Sequence, residues 1–315
     1  MAGIISRRKM LASTVLAAGA LVFSPKGQSM KSSGSKDPFR YCLNTALILE
    51  YKLDIVQQVE LAAGTGYNAI EPWLRDIAAY KEAGGSLDDL KKRIADLGIA
   101  VESAIAFSNW IVNDEQKRLQ GIEQMKREME LLAKIGGLRI AAPPTGATKG
   151  EILDLKHVAQ RYRVLLEAGE TVGVIPQLEI WGHSVNLHLL GESLFVLAEA
   201  GHPKACLLPD FFHIYKGGSD FAGLNLLSGK AVQVFHMNDY PGIPKEEIKD
   251  SDRVFQGDGI AELPKLIRIM YDNGCVTVYS IELFNRTYWK QYDAQTIARI
   301  GLEKMKAATA AALSI

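Results

Sequence analysis

Five polar residues stand, in order, near the ends of apolar runs in this sequence. They are Glu71 in YNAIEPW, Glu179 in GVIPQLEIW, Asp210 in ACLLPD, His236 in VQVFHMND and Glu282 in VTVYSIELF. A carboxylate at the mouth of an apolar strand costs stability unless a counter-charge or donors meet it. One such residue means little. Four successive runs, those holding Glu179, Asp210, His236 and Glu282, each offer a hard oxygen or an imidazole. If these ends converge, three carboxylates repel one another severely without a cation between them. One divalent metal ion resolves the conflict. Three carboxylates and a histidine suit Mn²⁺ first, with Mg²⁺, Co²⁺ and Zn²⁺ as further fits. Asp210 is therefore expected to face a metal.

Such residues need a frame that gathers strand ends. Runs rich in apolar and β-forming residues recur at 41–47, 67–73, 99–107, 138–144, 173–181, 205–210, 232–239 and 276–284. Helix-like stretches separate most of them, at 54–63, 86–98, 114–137, 150–173 and 259–274. In the second of these, Ser86 is placed to cap the start and Gly98 to stop the end. The Ala-rich tail, AATAAALS, reads as a fraying helix end. Eight strands alternating with helices predict an α/β protein, a (β/α)8 TIM barrel. In that architecture, side chains at the C-terminal strand ends share one mouth. An open doubly wound sheet is disfavoured, because no G-x-G-x-x-G follows the first strand and no phosphate-binding G-x-x-x-x-G-K-[ST] occurs.

Composition narrows the function further. The 315 residues include 36 basic and 36 acidic side chains, so the formal net charge is zero. That balance offers no electrostatic footprint for nucleic acid or an anionic membrane. Cys42, Cys206 and Cys275 lie far apart in or beside apolar runs, and are expected to be core thiols. Residues 1–24 carry SRRKML with the pair Arg7-Arg8, then an apolar stretch too short for a comfortable membrane span. They resemble a twin-arginine export signal. A Sec signal or an uncleaved anchor is the alternative. Residues 25–38 read as a polar linker, and 39–315 as a single barrel domain. Periplasmic localisation, with no stable membrane insertion after export, is the expectation.

The strand-end segments LEIWG, PDFFH, VFHMND, GDGIAELPKLI and VYSIELF, in this order, resemble the sugar isomerase/epimerase superfamily with a xylose isomerase-like barrel. Ketose 3-epimerases, hydroxypyruvate isomerases and inosose dehydratases belong to it. The resemblance spans 39 to about 310. It implies a divalent metal held by Glu179, Asp210, His236 and Glu282, and a small-molecule sugar substrate. It further implies that His213 and Arg253 contact substrate oxygens, and it is compatible with a homo-oligomer. Glu71 is either a substrate contact or an ion-pair partner at the barrel mouth. His183 and Trp181 are either substrate contacts or loop and rim residues. Two departures bear on the substrate: WGHSVNLH carries two histidines, and the segment between His236 and Gly257 is long.

The ligands themselves suggest the chemistry. A metal chelating a ketose carbonyl and its neighbouring hydroxyl acidifies the proton on the carbon between them, giving a metal-bound enediolate. Glu179 and Glu282, from non-adjacent strands, are the candidates to remove and return protons. Return from the opposite face gives epimerisation, and return to the adjacent carbon gives isomerisation. Loss of a β-hydroxyl or β-glycoside makes the enzyme a lyase, the main alternative. A non-catalytic sugar-binding barrel is the second alternative. A metal-dependent endonuclease on this fold would need more histidines than the six present and a basic groove. Export points to a non-phosphorylated ketose or keto-sugar, since phosphorylated sugars are scarce outside the cytoplasm.

Overall fold

Side-chain parity organises the strands. The computed structural model describes residues 37–275 and 278–315. Its strands are β1 (Arg40–Asn44), β2 (Ala69–Glu71), β3 (Ala100–Val101), β4 (Arg139–Ala142), β5 (Ile175–Glu179), β6 (Leu207–Leu208), β7 (Val234–Met237) and β8 (Val278–Ile281). Successive strand residues face opposite sides. Cys42, Ala69, Ala141, Leu208, Val234 and Val278 pack together inside the ring. Their neighbours Leu43, Ile70, Ala142, Leu207, Phe235 and Tyr279 pack outward, against the helices. Asn44, Glu71, Asp210, His236 and Ser280 each stand two residues beyond an interior side chain, and so point inward too.

All strand pairs are parallel. Five run in the order β3-β2-β1-β8-β7 and three in the order β4-β5-β6. A few isolated backbone bonds close both seams. Leu138 N–H reaches Val101 O at 3.2 Å and Ala141 N–H reaches Ala104 O at 2.9 Å. On the other side His236 N–H donates to Pro209 O at 2.9 Å, beside the bridge pairing Asp210 with His236. The result is the α/β barrel expected. Its floor is sealed by Glu102, buried and paired with Arg40 and, at 2.8 Å, with Arg139.

Helices α1 (Ile55–Thr65), α2 (Leu74–Glu82), α3 (Leu87–Asp96), α4 (Glu115–Lys134), α5 (Leu155–Val172), α6 (Leu190–Ala200), α7 (Phe211–Gly217), α8 (Leu263–Asp272), α9 (Arg286–Gln291) and α10 (Ala294–Leu313) cover the outside. Ser86 caps α3 through Asp89 N–H, and Gly98 takes φ +67° just beyond its end, as read from the sequence. Three expectations are corrected. The run 99–107 supplies only a two-residue regular strand, Ala100–Val101, followed by an isolated bridge from Ile105 to Trp73. The stretch 150–173 becomes helical only from Leu155, after the Asp154 cap. The tail does not fray: Thr309 is buried and bonded to the Tyr41 hydroxyl at 2.7 Å. The three cysteines are buried and unpaired. The expected export signal and nearly all of the linker lie outside the described residues.

Candidate metal centre and substrate cavity

The four strand-end residues meet at one point. His236 Nδ1 lies 3.3 Å from Glu282 Oε2, 3.8 Å from Asp210 Oδ2 and 3.9 Å from Glu179 Oε1. All four side chains are buried. Ligand atoms of Glu179, His236 and Glu282 fall within 4.8 Å of one another, as do those of Asp210, His213 and Glu282. Two atoms in this group, His236 Nδ1 and Glu179 Oε2, have no hydrogen-bond partner among the described residues. Buried polar atoms left unpaired are costly. Three carboxylates, one imidazole and unmet lone pairs form a donor set that fits a hard divalent cation.

Local structure explains how each residue arrives. Asp210 ends β6 and caps α7, its Oδ1 accepting His213 N–H at 2.8 Å. That leaves Oδ2 to Asn238 and Arg253, each at 2.9 Å. Arg253 comes from the long segment after β7. Asp239 and Val254 exchange backbone bonds of 3.0 and 2.9 Å, folding the segment back over the mouth. Asp239 then accepts N–H bonds from Tyr240, Gly257, Gly259 and Ala261, so it holds the loop that the GDG turn begins. The guanidinium of Arg253 lies 2.7 Å from Glu282 Oε2 and 2.6 Å from Asp250 Oδ1, over the Phe212 ring.

These environments separate the protonation states. Burial lifts Glu179 to about 8, against a lowering pull from His236. Burial also lifts Asp210, to about 6, with Arg253 opposing. Burial opposes ionisation of Glu282 as well, but His236 and Arg253 outweigh it and hold that carboxyl far below its usual range. Burial alone would lower His236, yet Glu282 and Glu71 raise it well above its ordinary value. His213 is pushed down to about 3 by burial and then by Arg253. A neutral His213 accepts Gly182 N–H at Nδ1, 3.2 Å away, with Nε2 3.0 Å from Arg253 Nη2.

A cavity of about 240 Å³ opens over this cluster. Glu179, Glu282, His213 and Arg253 reach it, as do Trp181 and His183. Successive ring centroids step from Trp73 to Phe107 (5.2 Å), Trp181 (6.1 Å), His183 (5.2 Å) and His213 (5.7 Å), forming an aromatic wall. Of the two readings of Glu71, the structure favours the ion-pair partner over the substrate contact. Glu71 does not line the cavity; like Asp210 and His236 it is fully buried, with its Oε2 3.1 Å from His236 Nε2. Sequence reasoning also missed Asp250, Phe107 and Phe284 on the cavity wall, and Asn44 and Ser280 beneath it. Asn44 and Ser280 share the inward parity of the known positions and could have been found by it. Asp250 lies in a short turn with no periodicity to reveal it.

A model of the family described as xylose isomerase-like TIM barrel matches residues 59–308. An inosose isomerase of Bacillus velezensis is 28% identical over 265 residues, spanning 82% of this chain and 93% of that protein. A 3-dehydroshikimate dehydratase of Pseudomonas putida is 22% identical over 233 residues, spanning 73% of this chain and 36% of that protein. Among solved structures, that of IOLI protein with a binding zinc atom superimposes with a TM-score of 0.80 at 23% identity. That match covers 88% of this chain and 100% of the other.

Proposed function

The chain belongs to the xylose isomerase-like TIM barrel family, and on that premise we propose that it is a divalent-metal-dependent isomerase or epimerase of a non-phosphorylated ketose or keto-sugar. The convergence of Glu179, Asp210, His236 and Glu282 beneath one cavity, with unpartnered atoms among them, carries this proposal. These four residues would hold the cation. Bound there, it would polarise a carbonyl and acidify the neighbouring C–H.

The remaining work falls to side chains. Glu282, paired with Arg253, and Glu179 both border the cavity and are the candidates to take and return a proton. They rise from opposite ends of the run β5 to β8, so they approach a substrate from separate sides. Delivery to the original carbon from the other face inverts it; delivery to the adjacent carbon shifts the carbonyl. Arg253 and His213 are placed to hold substrate oxygens. Phe107, Trp181 and His183 offer flat surfaces for the C–H face of a sugar and keep water away.

Loss of a β-hydroxyl needs the same residues, and the likeness to a 3-dehydroshikimate dehydratase favours a lyase as the second reading. The test is a screen of the metal-loaded protein on ketoses and cyclic keto-sugars, with products followed by NMR. Turnover abolished by chelation and restored by metal supports the enzyme. Tight sugar binding without any turnover replaces it with a non-catalytic sugar-binding barrel. The pair Arg7-Arg8 and the apolar run after it support a site of action in the periplasm.

A further inference from the structure

Beneath His236, one oxygen of Glu71 collects three contacts from three strands. Oε2 accepts the Ser280 hydroxyl at 2.6 Å and the Asn44 amide at 3.0 Å, and lies 3.1 Å from His236 Nε2. Register brings them together: Asn44 is paired with Glu71 across β1 and β2, and His236 with Ser280 across β7 and β8. Donor and acceptor roles then follow by elimination. Asn44 Oδ1 accepts Ala46 N–H at 2.9 Å, so its Nδ2, which only donates, must face Glu71. Glu71 Oε2 is thus an acceptor in this cluster, and the nitrogen of His236 beside it carries the hydrogen. Nδ1, with no hydrogen-bond partner among the described residues, faces Glu179, Asp210 and Glu282 and is the nitrogen that would give up its proton and offer a lone pair to a cation.

We propose that Glu71 is a positioning residue, which fixes the tautomer and ring orientation of His236 so that Nδ1 is presented to a divalent cation. The proposal rests on reading His236 as a metal ligand. A carboxylate accepting the far N–H of a ligating histidine orients the ring and raises its basicity. Both side chains are fully enclosed, so water does not substitute for the missing acceptor once Glu71 is removed. Ser280 and Asn44 hold Glu71 in turn, which places residues of β1, β2, β7 and β8 in one chain of bonds ending at the site.

The experiment uses the full chain, metal-stripped and titrated with Mn²⁺ alone, beside Glu71→Gln, Glu71→Ala and Ser280→Ala. Glu71→Ala is expected to weaken Mn²⁺ binding about 10- to 100-fold, the usual consequence of losing such a partner. Glu71→Gln, which retains a carbonyl acceptor, should recover part of that loss, and Ser280→Ala should weaken binding less than Glu71→Ala. With ¹⁵N-labelled histidine and Zn²⁺ bound, the wild-type protein should show a protected His236 Nε2–H resonance. That resonance should vanish or exchange rapidly in Glu71→Ala. If Glu71→Ala does not fold, Glu71→Gln and Ser280→Ala carry both measurements. Mn²⁺ affinities within twofold of wild type, or a wild-type His236 with no proton on Nε2, would overturn the proposal. A wild-type protein that binds neither ion sinks the metal assignment and this proposal with it, whereas tight wild-type binding unchanged in every variant sinks this proposal alone.

Discussion

Arg253 Nη1 stands 2.7 Å from Oε2 of Glu282, and both side chains are buried. The same nitrogen lies 2.9 Å from Asp210 Oδ2, so one guanidinium separates two carboxylates that would otherwise face each other. Among the described residues Glu179 has no such cationic partner from Arg or Lys. That difference gives the two glutamates unlike electrostatic surroundings in the metal-free protein.

Replacing Arg253 by Met is expected to destabilise the metal-free protein by about 3–5 kcal/mol, the range for leaving a buried charge unpaired. Mn²⁺ should restore most of the loss, because a cation at the cluster neutralises the same carboxylates. Urea denaturation with and without Mn²⁺ measures this. An equal loss in both conditions would mean that Arg253 matters mainly through packing on Phe212, whose ring lies 4.5 Å away.

The protonation pattern gives stability a pH dependence whose sign can be worked out. Between its ordinary 4.5 and about 8, Glu179 keeps a proton in the folded chain that the unfolded chain has released. Stability therefore falls as pH rises through that window. Asp210 acts in the same sense between 3.8 and about 6. His236, lifted above its ordinary 6.5, acts likewise above that value. Glu282 acts in the opposite sense, but only below 4.5. The metal-free protein should thus melt at a lower temperature at about pH 8 than at about pH 5.5. A metal competes for the same sites, so its stabilising increment should grow over that interval. Melting curves of stripped and Mn²⁺-loaded protein provide the check, and an increment independent of pH would count against the site.

Export is tested separately. With Arg7 and Arg8 both changed to Lys, the protein should stay in the cytoplasm as an uncleaved precursor. Cell fractionation and immunoblotting read this directly. Undiminished export would assign the apolar run to another pathway.

Much of this site was legible because strand parity is local. Glu179, Asp210, His236 and Glu282 each stand at or just past the end of an apolar run, and the barrel brings those ends together. Partnerships across the chain carry no such local mark. Glu71 was visible as a strand-end carboxylate, but its enclosure depends on Ser280, 209 residues away. The tail looked unanchored because Thr309 finds Tyr41 at a separation of 268 residues. Arg253 was placed by family resemblance alone; the Asp239–Val254 pairing that delivers it to the mouth has no periodic signature.

In the proposed reaction Glu282 is the candidate base. It is the carboxylate held ionised at neutral pH, it borders the cavity, and its Oε2 already faces both Arg253 and His236. Glu282→Gln keeps the shape and one acceptor oxygen but removes the base, so turnover should fall by at least about 10²-fold. Loss of metal would produce the same fall, so Mn²⁺ content must be measured on the same sample. A variant that retains metal and loses turnover isolates the proton transfer. Glu179→Gln under the same control should also fall if the two carboxyls act as a pair. Turnover in deuterated water then separates the chemistries. Deuterium at an inverted carbon identifies an epimerase, and deuterium beside a relocated carbonyl identifies an isomerase. An unsaturated product identifies the lyase. Full activity of Glu282→Gln with its metal in place would remove Glu282 from the proton path.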